Sequence, residues 1–278
     1  MGCTHDCSNC GSNCASKANG DFAAPLNVDS KIKRVIAVAS GKGGVGKSFV
    51  SAMLAVTAMR KGLKAGILDA DITGPSIPKA FGITGGTFQT EVGIEPAMTT
   101  GGIKIMSLNM LIENPDEPVV WRGGLIAGCV KQFWTDVHWG EPDVLIIDMP
   151  PGTGDVPLTV FQSIPVDGVA VVSSPQELVE MIVAKSVRMC EMMKKPVLGL
   201  IENMSYFKCG KCGELHELYG ESKALALAEH FKLPRYARLP IDPKFARLID
   251  EGAAEHVELP EDAKKCLEEI VTGEVGGD

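Results

Sequence analysis

The chain has 278 residues, of which 45% are hydrophobic and 22% are charged, close to the averages for globular proteins. This composition argues against a disordered, collagen-like or coiled-coil protein, and a parallel α/β sheet accommodates the length as one large core with appendages. The formal net charge of -8 repels a phosphate backbone, so we expect no nucleic-acid partner.

The sequence also predicts no membrane partner. No apolar run reaches the roughly 18 residues that a spanning helix needs. The start of the chain, MGCTHDCSNC, has neither a basic n-region nor an apolar h-region. We therefore expect a cytoplasmic protein.

Residues 1–30 predict a cysteine-rich tail and linker rather than a folded unit. They are rich in Ser, Asn, Gly and Ala and have few large apolar residues, so they cannot fold alone without a metal. Four cysteines within this segment can complete a metal site in one chain. Three interpretations stay open, in this order: a [4Fe-4S] site, a structural zinc knuckle, or a reduced tail without metal. The four candidate ligands are Cys3, Cys7, Cys10 and Cys14.

Residues 31–278 predict an α/β domain with a mostly parallel central sheet and helices on both faces. Short runs rich in β-branched residues alternate here with helical stretches, which is typical of repeated βαβ units. The predicted strands span residues 34–39, 65–69, 103–108, 144–148, 169–173, 197–202 and 236–239. The predicted helices span residues 47–60, 176–194, 222–231 and 262–271.

A phosphate-binding loop follows the first predicted strand. The sequence GKGGVGKS satisfies the pattern G-x-x-x-x-G-K-[ST] between a strand and a helix. Glycines let backbone N–H groups converge on phosphate oxygens, Lys47 adds a positive charge, and Ser48 supplies a hydroxyl to Mg²⁺. The residues assigned to this loop are Gly41, Lys42, Gly43, Gly44, Val45, Gly46, Lys47 and Ser48.

Two predicted strands end in carboxylates. Asp69 and Asp71 end one and Asp148 ends another, and the carboxyl ends of parallel strands form the ligand-binding edge of such a sheet. We expect Asp148 to act as the Walker B acid that holds Mg²⁺ through water, and Asp71 to position the attacking water. No Asn-Lys-x-Asp stretch of the guanine-reading kind is present, which favours ATP over GTP.

The loop resembles the deviant Walker A loop of MinD, ParA, nitrogenase iron protein and arsenite-pump ATPases. In that group a second lysine, here Lys42, reaches the nucleotide of the facing subunit in a dimer. Four further strings resemble the Mrp family of nucleotide-binding iron-sulfur cluster carriers, and the match spans about residues 31–255. These strings are DADITGPSIP, DVLIIDMPPGTGDVPLT, SSPQEL and GLIENMSYFKCGKCG.

The resemblance implies a homodimeric ATPase that assembles a [4Fe-4S] cluster and transfers it to apo iron-sulfur client proteins. It implies that Asn203 faces adenine. Phe49 stands next to the loop where the family usually has Thr, so one hydroxyl near the α-phosphate is missing.

Within a predicted insertion at residues 205–220, Cys209 and Cys212 form a C-x-x-C pair. A zinc or [4Fe-4S] site needs four ligands, and the same pair from each subunit of a two-fold dimer would supply them at the interface. The alternative is half of a zinc ribbon with His216 as a third ligand. The three isolated cysteines are interpreted as buried structural thiols: Cys129, Cys190 and Cys266.

Three functions remain open on the sequence. The favoured one is an ATP-dependent iron-sulfur cluster carrier. A MinD- or ParA-like positioning ATPase would share the loop but would need a membrane-binding helix or a basic DNA surface. A zinc-stabilised metal-delivery ATPase would use the cysteine pair equally well.

Overall fold

The computed structural model describes residues 23–71, 76–111, 123–176 and 179–274. The tail cysteines Cys3, Cys7, Cys10 and Cys14 lie outside these residues. Within them, the strands are β1 (Val35–Ala39), β2 (Ala65–Asp69), β3 (Phe88–Thr90), β4 (Gly93–Glu95), β5 (Ala97–Met98), β6 (Lys104–Ser107), β7 (Val144–Asp148), β8 (Gly168–Ser173), β9 (Val197–Lys208), β10 (Leu215–His216) and β11 (Tyr236–Ile241).

Nine of these strands form the central sheet, in the order β10-β9-β8-β1-β7-β2-β6-β5, with β11 paired to β9. Seven strands of the sheet run parallel to one another: β1, β2, β6, β7, β8, β9 and β11. The other two are antiparallel, β5 to β6 and β10 to β9. Strands β3 and β4 form a separate hairpin. The mostly parallel sheet predicted from the sequence is confirmed.

Helices cover both faces of the sheet. Their bounds are α1 (Lys47–Arg60), α2 (Ser76–Ala80), α3 (Gly123–Thr135), α4 (Asp155–Ser163), α5 (Val179–Met192), α6 (Ala224–His230), α7 (Pro243–Asp250) and α8 (Glu261–Thr272). Side chains of α1, α2, α7 and α8 pack in one buried cluster, and those of α3, α4, α5 and α6 pack in another.

The central strands are apolar throughout because both of their faces are covered. In β1, Val35, Ala37 and Ala39 belong to one cluster, whereas the alternate residues Ile36 and Val38 belong to the other. Successive side chains of a strand point to opposite faces, so a strand buried on both sides needs a continuous apolar run.

The segment that leads into β1 is hydrogen-bonded to α3 and α4, which belong to the second cluster. The backbone N–H of Ala24 donates to the carbonyl of Ser163 at 2.8 Å, and the indole of Trp134 donates to the carbonyl of Ala24 at 3.0 Å. Residues close to the end of the predicted linker thus contact α3 and α4.

Candidate functional site

The phosphate loop joins β1 to α1. Gly44 and Gly46 have φ values of 76° and 79°, the left-handed region that glycine adopts without steric cost. A side chain at Gly46 would overlap the amide of Asn203, and a Cβ at Gly41 would lie 2.7 Å from the carbonyl oxygen of Ile182. Close contact with α5 and β9 therefore leaves no room for a side chain at Gly41 or Gly46.

Lys47 begins α1 and points at the carboxylates that end the neighbouring strands. Its Nζ lies 2.8 Å from Asp148 Oδ1 and 3.4 Å from Asp71 Oδ2. Ser48 donates to Asp148 Oδ2 at 2.6 Å, and Ser51 donates to Asp148 Oδ1 at 2.7 Å. The structure thus brings together the four residues that the sequence assigned to phosphate, magnesium and water.

Asp69 lies beside Asp148 in the sheet, because the two residues are register partners on β2 and β7. Asp69 is fully buried and accepts hydrogen bonds from Ser107 Oγ at 2.8 Å and from the backbone N–H of Asp71 at 3.1 Å. Burial, and secondly the negative charge of Asp148, raise the pKa of the Asp69 carboxyl well above its usual range. Asp69 is therefore suited to remain neutral.

The second lysine of the loop lies at the surface next to α5. Lys42 donates to the side-chain oxygen of Gln176, which follows β8. Gly43 and Gly44 are exposed on the same loop. Lys42 thus lies apart from Lys47, on an accessible side of the loop.

Asn203 connects β9 to the phosphate loop. It is 5% exposed, and its Nδ2 donates to the carbonyl of Val45 at 3.0 Å. The next residue, Met204, has a φ of 57°, a strained backbone conformation for a residue other than glycine. The predicted adenine-facing residue is therefore held at the loop by an irregular segment of β9.

Phe49 follows the phosphate loop in the first turn of α1. Its ring stacks on that of Phe245 of α7, which also lines a groove with a volume of about 810 Å³. The groove continues along Tyr206 and Phe207 to Cys209. The groove thus extends from Phe245, which contacts Phe49, to Cys209.

Cys209 and Cys212 lie in the turn between β9 and β10. The N–H of Cys209 donates to the carbonyl of Glu214 at 2.8 Å, and the N–H of Gly213 donates to the carbonyl of Cys209 at 2.9 Å. Hydrogen bonds from the backbone of Cys212 and of Lys211 lower the pKa of the Cys209 thiol. Cys209 is half-buried and Cys212 is exposed.

His216 does not join the two thiols in a common site. Its Nε2 lies 3.9 Å from Glu214 Oε2, and its ring lies 6.5 Å from that of Phe207. Within the described residues, no three His, Cys, Asp or Glu side chains are placed to hold one metal ion. Within that part of the chain, the cysteine turn could therefore offer a metal two thiol ligands.

The isolated cysteines lie away from this turn. Cys190 and Cys266 are buried, and burial raises the pKa of each thiol to about 12. Cys129 is partly exposed, so the prediction that it is a buried thiol is wrong, although partial burial still raises its pKa.

Sequence reasoning missed several residues that shape the site. Ser51 is one helical turn after Lys47, and this spacing is a signal that could have identified it. Ser107 ends β6 next to Asp69, and only the strand register shows this. Arg238 donates to Ser205 at 2.7 Å and to Glu217 at 2.5 Å, and no local motif indicates either contact.

The sequence profile of the ParA family, described as NUBPL iron-transfer P-loop NTPase, matches residues 31–273. An iron-sulfur cluster carrier protein from Clostridium perfringens is 41% identical over 265 residues, which cover 87% of this chain and 93% of that protein. A cytosolic Fe-S cluster assembly factor NUBP2 homolog from Culex quinquefasciatus is 39% identical over 254 residues, covering 89% and 99%.

Solved structures show the same fold. A nucleotide-binding protein from Archaeoglobus fulgidus, in complex with ADP and with cobalt found, has a TM-score of 0.74 and 47% identity, covering 82% of this chain and 89% of its own. MinD from Pyrococcus horikoshii, complexed with Mg-ADP, has a TM-score of 0.59 at 19% identity, covering 87% and 96%. The P-loop NTPase fold predicted from the sequence is confirmed. In the part of the chain described, no helix is both long and apolar enough to cross a membrane.

Proposed function

Because the chain belongs to the ParA-type, NUBPL iron-transfer P-loop NTPase family, we propose that it is an ATP-dependent carrier of [4Fe-4S] clusters. One observation carries this proposal: a single strand, β9, contacts the phosphate loop through Asn203 and leads directly into Cys209. Relatives named as iron-sulfur cluster carriers and cytosolic assembly factors support it, and with it a cytosolic location.

ATP binds as its Mg²⁺ complex at the phosphate loop. The oxygens of Ser48 and Asp148 are hard ligands of the kind that Mg²⁺ prefers, so the residues present fit the ion. Lys47, which contacts Asp148 here, turns to the phosphates when nucleotide binds. Asn203, at the edge of the phosphate loop, is assigned to the adenine.

Hydrolysis follows when Asp71 orients a water molecule toward the γ-phosphorus. The oxygen of water forms the new P–O bond, the bond to the bridging β–γ oxygen breaks, and ADP and phosphate leave while the proton lost by the water passes to solvent. Lys42 lies on an exposed part of the loop, and we assign it to the nucleotide of a second subunit in a homodimer. Turnover per subunit should therefore fall when the dimer is diluted to monomer.

The cluster is the cargo and lies between the two subunits. Cys209 and Cys212 supply two thiolates from an exposed turn, and the same pair of a second copy completes the four that a [4Fe-4S] cluster needs. A cluster held at an exposed interface can be handed to an apo-protein. ATP binding can then affect the cluster, because a change in the arrangement of the two subunits changes which thiolates bind it.

The test is anaerobic reconstitution of the full chain with iron and sulfide, followed by transfer to an apo-enzyme that requires a [4Fe-4S] cluster. We expect Cys209→Ser/Cys212→Ser to lose transfer, and Cys129→Ser, which changes a thiol outside the turn, to retain it. Zinc without sulfide at the cysteine pair, or equal transfer by the double variant, would refute the carrier function.

A further inference from the structure

We propose that Arg238 is a positioning residue that fixes the turn bearing Cys209 and Cys212 to the segment of β9 that contacts the phosphate loop. The inference rests on the proposed carrier function, because its consequence is how firmly the turn presents its two thiols to a cluster. Arg238 lies on β11, which pairs with β9.

Arg238 holds the chain on both sides of the cysteine turn. Its Nε donates to Ser205 Oγ at 2.7 Å, before the turn, and its NH2 group donates to Glu217 Oε1 at 2.5 Å, after the turn. Its guanidinium also lies over the ring of Tyr206, 5.4 Å from the centroid. One side chain thus joins the two arms that lead into and out of the cysteine pair.

The contact to Ser205 is anchored in the protein interior. Ser205 Oγ donates to Glu202 Oε2 at 2.6 Å while it accepts from Arg238. Glu202 is fully buried and also accepts from Ser222 Oγ at 2.5 Å and from the N–H of Lys223 at 3.4 Å. A buried carboxylate with all of these donors is a rigid support for Arg238.

The same segment of β9 carries the contact to the phosphate loop. Arg238 is the register partner of Glu202 and Pro240 that of Tyr206, so three residues of β9 bulge opposite one residue of β11. The bulge contains Asn203, which donates to Val45, and Ser205, which contacts Arg238. Arg238 therefore holds the cysteine turn at the segment of β9 that also contacts the phosphate loop.

Arg235 provides a matched control at the start of the same strand. Its Nε contacts Glu269 Oε2 at 3.0 Å, and this ion pair is less exposed than that between Arg238 and Glu217. It connects β11 to α8, away from the cysteine turn. Arg235→Ala therefore removes an arginine–glutamate pair, and with it hydrogen bonds to the carbonyls of Leu198 and Glu274, without touching the turn.

The experiment compares Arg238→Ala, Glu217→Gln and the double variant with Arg235→Ala. In metal-free protein, hydrogen exchange at residues 209–216 should be faster in the first three and unchanged in Arg235→Ala. In reconstituted protein, cluster loss to a chelator, followed by visible absorption, should be about tenfold faster in Arg238→Ala and in the double variant, as for other residues that orient metal ligands. Glu217→Gln should have a smaller effect in the same direction, because its amide oxygen can still accept from Arg238. ATP affinity should stay unchanged. The double variant should be no worse than Arg238→Ala, because both changes break one pair.

Hydrogen exchange tests the role of Arg238, and cluster uptake tests the carrier function, so the two proposals can fail independently. If the parent protein takes up no iron and sulfide, the carrier function is wrong, but the exchange comparison still decides the role of Arg238. Equal exchange at residues 209–216 in the parent and in Arg238→Ala would overturn the positioning role. So would faster exchange and faster cluster loss of the same size in Arg235→Ala, since that result would indicate general destabilisation of β11.

Discussion

The ring of Phe49 stacks on the ring of Phe245, with centroids 5.6 Å apart and an interplanar angle of 23°. Phe49 follows Ser48 in the first turn of α1, and Phe245 lies on α7 and lines the groove that extends to Cys209. Phe49 therefore contributes to packing between two helices.

Phe49→Thr should lower the free energy of unfolding and raise the affinity for ATP. The change removes a stacked pair and part of its apolar burial, which costs about 1–2 kcal/mol in free energy of unfolding. It also places a hydroxyl beside Ser48, where a hydrogen bond to a phosphate should tighten ATP binding about tenfold. Urea unfolding and ATP titration measure the two effects. Phe245→Leu is the control, because it breaks the same stack without adding a hydroxyl. If Phe245→Leu tightened ATP binding equally, the hydroxyl would not be the cause.

Lys47→Ala should destabilise the protein as well as abolish ATP binding. Asp148 is fully buried, and Lys47 is the cation paired with it in the described part of the chain. Removing one partner of a buried ion pair costs about 3 kcal/mol, because the other charge is left without compensation. Adding Asp148→Asn should restore part of the free energy of unfolding but no ATP binding. A Lys47→Ala protein as stable as the parent would contradict this account of the pair.

The raised pKa of Asp69 predicts a pH-dependent stability. Its carboxyl binds a proton more tightly in the fold than in the unfolded chain, where an Asp titrates near about 3.9. Its stabilising contribution is complete below the unfolded pKa and is lost as pH rises through the folded pKa. Asp69→Asn, which stays neutral, should therefore become more stable relative to the parent as pH rises.

Urea unfolding of both proteins at several pH values measures this difference. Asp143→Asn is a control for which the pH dependence of stability should have the opposite sign. A hydrogen bond from Lys33 lowers the pKa of Asp143, so that its contribution is lost as pH falls. A constant difference between Asp69→Asn and the parent at all pH values would show that Asp69 is ionised in the fold.

The sequence predicted the bounds of strands and helices best where an element is buried along its length. The predicted bounds of β2, β7 and α1 match the structure because apolar runs of matching length mark them. Strand β9 extends six residues beyond its predicted end at Glu202, since the polar residues that follow resemble a loop. Those residues stay in the strand because Glu202, Asn203 and Ser205 form hydrogen bonds with residues far along the chain, namely Ser222, Val45 and Arg238.

The candidate site was predictable where a motif places residues side by side. Lys47 and Ser48 are adjacent in sequence, and Asp71 and Asp148 each follow a recognisable strand. Arg238 was not predictable, because its contact with Ser205 joins residues 33 positions apart through the pairing of β11 with β9. Register across a sheet is a tertiary property that local periodicity does not contain.

Cys209 should be the more reactive thiol at neutral pH when it is compared with Cys129. Backbone donors lower the pKa of Cys209, whereas burial raises that of Cys129. The thiolate is the nucleophile, so alkylation of Cys209 should accelerate at a lower pH than alkylation of Cys129. Iodoacetamide labelling of reduced, metal-free protein between pH 6 and about 9, read by mass spectrometry, tests this order. Faster labelling of Cys129 throughout that range would contradict the hydrogen bonding assigned to the turn.

The cysteine pair and the tail should load clusters independently. A variant with Ser at Cys3, Cys7, Cys10 and Cys14 should still bind one [4Fe-4S] cluster per dimer, because two copies of Cys209 and Cys212 supply four thiolates. A variant with Ser at Cys209 and Cys212 should retain only tail-bound iron. Since a shared cluster links ligation to association, its removal should weaken the dimer. Iron and sulfide counted per dimer, with sedimentation before and after chelation, measure both effects. A complete cluster on a verified monomer that lacks the tail cysteines would show that one chain supplies all the ligands, and the bridging arrangement would then be wrong.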